Sequence, residues 1–146
     1  MTELAHIVYY VRDLEASMRF YEQAVGLTLK GKIFGNRAAV LSGGRSHHEL
    51  LLIEVGNAEG PLQGRRIGLY HAGWKIGDNL DQLRQARDRL QQLGYPLDGM
   101  SDHSVSQSLY LRDPDGNEVE LFVDNPDFDW HSDASWMEAP VKPLDL

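Results

Sequence analysis

The sequence predicts an α+β fold made of two β-α-β-β-β modules within one domain, and three observations carry that prediction. Two short apolar runs each open with a histidine that leads, seven residues on, to an aspartate: His6 to Asp13 and His71 to Asp78. Each aspartate is followed by an amphipathic helical stretch and then by further strand-like runs, so one order of elements occurs twice. At 146 residues the chain can bury one core but not two independent ones, so a duplication here is two halves of one domain.

In order, residues 5–11 form a strand rich in Ile, Val and Tyr that ends at the Arg12-Asp13 turn. Asp13 can cap a helix. Leu14, Met18, Tyr21 and Val25 recur at helical spacing through residues 14–25, and Gly26 stops them. Residues 27–34, 37–42 and 48–55 supply three strands, separated by Gly35-Asn36 and by Gly43-Gly44-Arg45-Ser46. Residues 56–66 carry three glycines, a proline and mixed charge, and form a hinge. The order then repeats. Residues 67–76 read as a strand, and Leu80, Leu83, Ala86, Leu90 and Leu93 form a helical stripe between Asp78 and Gly94. Residues 95–99, 106–112 and 118–123 read as strands, with Asp113-Pro114-Asp115-Gly116-Asn117 as a tight turn before the last. The expected organisation is a domain over residues 1–130, with modules at 3–55 and 67–123, and a packed acidic tail over 124–146 that holds two tryptophans.

Composition narrows the function. The formal net charge is −8, from 22 acidic against 14 basic residues, and no basic run exceeds Arg65-Arg66. That balance argues against nucleic acid and anionic membranes as partners. With no cysteine, disulfides, thiolate metal sites and a cysteine nucleophile are excluded. Met1 leads directly into a strand pattern without the signature of a signal peptide, and no apolar run approaches membrane-spanning length. The expectation is a soluble cytoplasmic protein.

His6 and His71 head equivalent strands, and Glu120 lies in the closing strand. Two neutral imidazoles and one carboxylate can occupy one face of a six-coordinate Fe(II), leaving positions for substrate and oxygen. Taken singly, each histidine is better explained as a strand histidine in a core. Their matching placement in two copies, joined by Glu120, favours ligation. Strand periodicity puts Glu118 and Glu120 on one face and does not choose between them. In His47-His48-Glu49, alternation puts His47 and Glu49 on one face and His48 on the other, and which face looks into a cavity stays open. Arg12, Arg19, Arg84, Arg87 and Arg89 read as exposed cations with casual carboxylate neighbours. Tyr9, Tyr10 and Trp74 serve either the core or the lining of an aromatic-substrate cavity.

Over residues 3–130 the chain resembles the vicinal oxygen chelate superfamily, which includes glyoxalase I, bleomycin-resistance proteins and type I extradiol dioxygenases. The resemblance lies in Ala5-His6-Ile7, Tyr70-His71-Ala72 and the run Asp113-Pro114-Asp115-Gly116-Asn117-Glu118-Val119-Glu120-Leu121. It implies paired modules forming a cupped sheet around a metal-binding cavity, with His6, His71 and Glu120 as ligands and Glu118 nearer the solvent. The stretch from Ser101 to Leu111 looks most like catechol 2,3-dioxygenases. That likeness implies His103 as acid-base residue, Tyr110 as hydrogen-bond donor to the bound diol, and a further histidine near the head of the fourth strand, for which His48 is the candidate. The expected function is a non-haem Fe(II) extradiol dioxygenase, with Mn(II) as the alternative metal, acting on a small aromatic diol with O2 and assembling as a homodimer. The runner-up is a glyoxalase-like isomerase of a thiol-conjugated carbonyl compound, with Glu49 as fourth ligand to Ni(II), Zn(II) or Co(II). A metal-free sequestering protein is a third reading, against which the complete His-His-Glu set argues. Trp130 and Trp136 are candidates to close the cavity from the tail. Many ring-cleaving relatives are about twice this length, which removes one source of substrate enclosure here.

Overall fold

Val8, Tyr9, Tyr10 and Val11 are β-branched or aromatic, and they build strand β1 (Ile7–Val11), in which Tyr9 and Val11 are buried while Val8 and Tyr10 are exposed. The computed structural model describes residues 1–138 and 141–146. They divide into two units: Met1–Arg66 with Asp113–Gly116, and Ile67–Arg112 with Asn117–Leu146.

In the first unit Asp13 caps helix α1 (Leu14–Phe20), its carboxylate accepting the Ala16 N–H at 3.0 Å. The helix runs on through one π turn, Tyr21–Val25, and Gly26 closes it in the left-handed conformation at φ 92°. Strands β2 (Thr28–Ile33), β3 (Ala38–Ser42) and β4 (Leu50–Glu54) complete a sheet of order β1-β4-β3-β2, with β1 parallel to β4. Its core is Val11, Phe20, Tyr21, Leu41, Leu50 and Leu52, none more than 1% exposed, and each such side chain contributes about 1.5–3 kcal/mol of burial. The Tyr21 hydroxyl donates to the buried Asp113 carboxylate at 2.8 Å. Arg12 corrects the expectation of a casual surface cation. Its guanidinium binds Asp115 at 3.1 Å and also donates to the carbonyls of Ala58 and Gly60, so it ties two loops to the end of β1.

The second unit repeats the order with strand β5 (His71–Gly77), helix α2 (Leu80–Leu93), and strands β6 (Gly99–Asp102), β7 (Ser106–Arg112) and β8 (Glu118–Asp124). Inward-facing Leu109, Leu111, Val119, Leu121 and Val123 bury against Leu83, Ala86 and Leu90 of α2. Alternation along the same strands puts Ser108, Tyr110, Glu118 and Glu120 on the opposite face.

Four sequence expectations change here. Gly68, at φ 136°, interrupts the strand expected from residue 67, so β5 begins at His71. A register shift between Lys75 and Gly77 inserts one residue near the end of β5, so the cap of α2 is Asn79 rather than Asp78. The Asn79 side chain accepts the Gln82 N–H at 3.1 Å, and the Gln82 side chain accepts the Asp78 N–H at 2.7 Å. The strand expected at 95–99 starts only at Gly99, because the Tyr95 N–H closes the helix on the Leu90 carbonyl and Pro96 has no N–H to give a ladder. The tail does more than pack: strand β9 (Lys142–Pro143) pairs antiparallel with β6, giving the sheet order β5-β8-β7-β6-β9, and Arg87 holds the Leu146 carbonyl. Among the described residues no helix is long and apolar enough to cross a membrane.

Candidate metal centre and active site

The face of the second sheet turned away from α2 carries a continuous run of polar side chains. In register, His71 lies opposite Glu118, Gly73 opposite Glu120, and Tyr110 opposite Glu120 from the other side. His71 Nδ1 lies 2.9 Å from Glu118 Oε2, and His71 Nε2 lies 3.2 Å from Glu120 Oε2. Glu120 Oε1 accepts hydrogen bonds from the Ser108 hydroxyl at 2.6 Å and from the Tyr110 hydroxyl at 3.0 Å. Tyr110 in turn lies 2.8 Å from His103 Nε2, and Ser101 Oγ lies 2.8 Å from the same nitrogen. Glu120, Tyr110 and His103 thus form one hydrogen-bonded chain, with His71 at its Glu120 end.

Donor accounting orders that chain. A phenol has one proton, and Tyr110 gives it to Glu120, so His103 Nε2 must supply the proton of its own contact with Tyr110. Burial pushes the Tyr110 phenol above its usual value and the Glu120 charge adds to the shift, so at neutral pH the group donates. His103 is fixed by its loop: its N–H bonds the Ser106 carbonyl at 2.9 Å, and Asp102 accepts the Ser104 N–H at 2.8 Å. Ser104 takes up the left-handed φ of 69° that this bend needs.

A divalent ion fits between His71 and Glu120. With Nδ1–H given to Glu118, Nε2 presents a lone pair to a carboxylate oxygen 3.2 Å away, an approach that a proton on Nε2 or a cation between the two relieves. Adjacent ligands of an octahedral ion with bonds of about 2.1 Å stand about 3 Å apart, close to this gap. Among the described residues no three His, Asp or Glu side chains are gathered closely enough to hold a metal by themselves.

In the first unit His6 is exposed just before β1, its ring 4.7 Å from that of His48, which is 4.5 Å from that of His47. Burial lowers the His48 pKa, and the neighbouring His47 and His6 lower it further. Glu49 closes the turn between β3 and β4, accepting the Gly43 N–H at 2.6 Å and the Ser46 N–H at 2.7 Å. Burial raises its pKa, but these hydrogen bonds outweigh it and bring the carboxyl below its usual range.

Glu118, expected nearer solvent, is buried at 9% exposure, where it grips His71 and meets Arg112 at 3.5 Å. Glu118, Ser101, Ser108 and Gly73 were not singled out as supports of the site. Their signal was the two-residue spacing of Glu118 with Glu120 and of Ser108 with Tyr110. Tyr9 is buried in the core, Tyr10 is exposed, and Trp74 is half-buried. Trp130 stacks on His131 at 3.7 Å, and both Trp130 and Trp136 are exposed.

A sequence profile of the family described as "Glyoxalase/Bleomycin resistance protein/Dioxygenase superfamily" matches residues 3–121. The chain is 33% identical over 133 residues to the catechol-2,3-dioxygenase of Bacillus subtilis (strain 168), covering 90% of this chain and 45% of that protein. It is 34% identical over 129 residues to biphenyl-2,3-diol 1,2-dioxygenase 3 of Rhodococcus globerulus, covering 84% of this chain and 63% of the relative. The chain therefore spans less than two thirds of the length of either. A glyoxylase/bleomycin resistance protein/dioxygenase domain from Frankia sp. EAN1pec has the same fold, with TM-score 0.69, 22% identity, and coverage of 91% of this chain and 99% of that one.

Proposed function

This chain belongs to the glyoxalase/bleomycin resistance protein/dioxygenase superfamily, and on that footing we propose that it is a metal-dependent extradiol dioxygenase that opens a catechol-type ring with O2. The observation that supports the reading is the approach of His71 to Glu120 at one end of the hydrogen-bonded chain from Glu120 through Tyr110 to His103, a suitable metal-donor pair beside a suitable proton-handling pair on one sheet face. His71 and Glu120 would hold the ion, and Fe(II), or Mn(II), is the metal suited to imidazole and carboxylate donors. When bound, that metal would accept the diol as a chelating ligand and would supply a path for electrons between diol and O2.

The remaining chemistry falls to the side chains. Glu118 accepts Nδ1–H of His71 and so keeps Nε2 as the donor nitrogen. The Tyr110 phenol, held protonated, donates to a diol oxygen once a substrate draws it from Glu120. His103 Nε2, which carries the proton of its contact with that phenol, would act first as an acid toward the substrate side and accept a proton only after giving that one up. His48, kept neutral beside His6, is the catalytic candidate on the first sheet. The isomerase alternative needs Glu49 as a fourth ligand, and the engagement of its carboxylate with the Gly43 and Ser46 N–H groups weighs against it.

The test is direct. Protein purified without oxygen, loaded with Fe(II) and given a panel of catechols and O2, should form a coloured ring-opened product. A fully loaded protein that opens no catechol but isomerises a glutathione hemithioacetal with Ni(II) would reverse the assignment.

A further inference from the structure

Gly73 sits within β5 in ordinary extended backbone, where glycine stabilises a strand less than alanine does, so a demand other than backbone conformation fits its presence. The demand is visible across the strand. A Cβ at this position would lie 3.0 Å from Glu120 Oε2, the same oxygen that faces His71 Nε2 at 3.2 Å. Glu120 has little freedom to retreat. Its other oxygen is pinned by Ser108 at 2.6 Å and Tyr110 at 3.0 Å. The Phe122 ring stands 3.5 Å from the same Cβ position. A methyl group at residue 73 would turn the carboxylate about its pinned oxygen and move Oε2 relative to the imidazole.

The first unit supplies the converse. Val8 of β1 pairs with Leu51 of β4 as Gly73 pairs with Glu120. Where the partner is an apolar Leu51, a branched side chain stands on the first strand; where the partner is a carboxylate, there is none. We propose that Gly73 is a positioning residue, whose missing side chain sets the separation of the His71 and Glu120 donors and thereby the affinity for a divalent ion. This rests on the metal-dependent reading of the site.

The experiment compares Co(II) binding to the anaerobic apo-protein with that of Gly73→Ala, following the visible Co(II) absorption and the thermal midpoint of the metal-free forms. The variant should melt no lower than the parent, bind Co(II) about tenfold to a hundredfold more weakly, and give an altered Co(II) spectrum. Gly31→Ala, at a strand glycine of the first sheet with nothing within 4 Å of the added carbon, should leave affinity and spectrum unchanged. In a Glu120→Asp background, where the carboxylate is drawn back from residue 73, Gly73→Ala should cost little further affinity. Parent affinity and spectrum in Gly73→Ala would overturn the role of Gly73 alone, as would equal losses in Gly31→Ala. No Co(II) uptake by the parent would overturn that role together with the metal-dependent reading.

Discussion

The two sheets share an order of strands and nearly a register, yet among the described residues the network of carboxylate, phenol, hydroxyl and imidazole across strand faces lies on the second. One residue before the pairing of Ile7 with Leu50, the register brings His6 opposite Glu49, as His71 stands opposite Glu118 in the second sheet. The next position on that face is Leu51 in the first unit and Glu120 in the second. Beyond these, Val40 pairs with Leu51 where Tyr110 pairs with Glu120. A duplicated frame has therefore kept one imidazole in each copy and placed the carboxylate, phenol and hydroxyl in one. Even the shared glutamate has diverged: Glu49 closes a turn while Glu118 grips an imidazole. Backbone pairing allots positions equally to both halves, and side-chain identity at three of them decides which half handles charge.

The largest expected effect comes from making the second sheet copy the first. Glu120→Leu should lower divalent-metal affinity by more than about a hundredfold, beyond the range for residues that only support a ligand, and leave Ser108 and Tyr110 without their acceptor. A Co(II) titration that recovers parent affinity would erase the contrast between the sheets. Next, Tyr110→Phe should reduce kcat for ring opening by about a hundredfold while metal affinity changes little, since in the proposed reaction the phenol donates to a substrate oxygen rather than to the metal. A fall in metal affinity with unchanged kcat would reassign Tyr110 to holding Glu120.

A smaller loss is expected at the first sheet. Glu49→Ala should destabilise the fold by about 1 kcal/mol through its turn N–H groups and shift metal affinity less than twofold. Urea unfolding with a parallel metal titration reads both, and a tenfold loss of affinity would make Glu49 a ligand after all. The smallest effect is at Tyr9, whose buried hydroxyl has no hydrogen-bond partner among the described residues. Burial, with the Asp113 charge behind it, pushes its phenol up to about 12. The folded chain thus holds a proton that the unfolded chain releases near pH 10. The contribution of Tyr9 is complete below that pH and declines as pH rises toward 12. Tyr9→Phe should raise stability by up to about 1 kcal/mol at neutral pH and flatten the alkaline decline. An unchanged decline in pH-dependent unfolding would remove Tyr9 as its source.

Much of this was legible in the residues themselves. Hydrophobic alternation and the turn at Asp113-Pro114-Asp115-Gly116-Asn117 marked β7 from Ser106 to Arg112 as observed, and Gly26 and Gly94 marked where the helices stop. The one-residue insertion near the end of β5 was not legible, because a bulge leaves apolar spacing almost unchanged while it shifts the cap from Asp78 to Asn79. The pairing of β9 with β6 was hidden because two residues, one of them proline, carry no strand signal of their own. At the site, His71, Glu120, His103 and Tyr110 were visible as residue types that handle metals and protons. Their supports were not: Glu118 and Gly73 act through cross-strand register, which no single segment of sequence contains.

Tyr21 and Arg12 find their partners, Asp113 and Asp115, 92 and 103 residues further along. The first unit is consequently discontinuous in synthesis order. When its helix and four strands have left the ribosome, Asp113 and Asp115, partners of the Tyr21 phenol and of Arg12, have still to be made. Severing the chain at residues 56–66 would therefore part the Tyr21 phenol from the Asp113 carboxylate and Arg12 from Asp115.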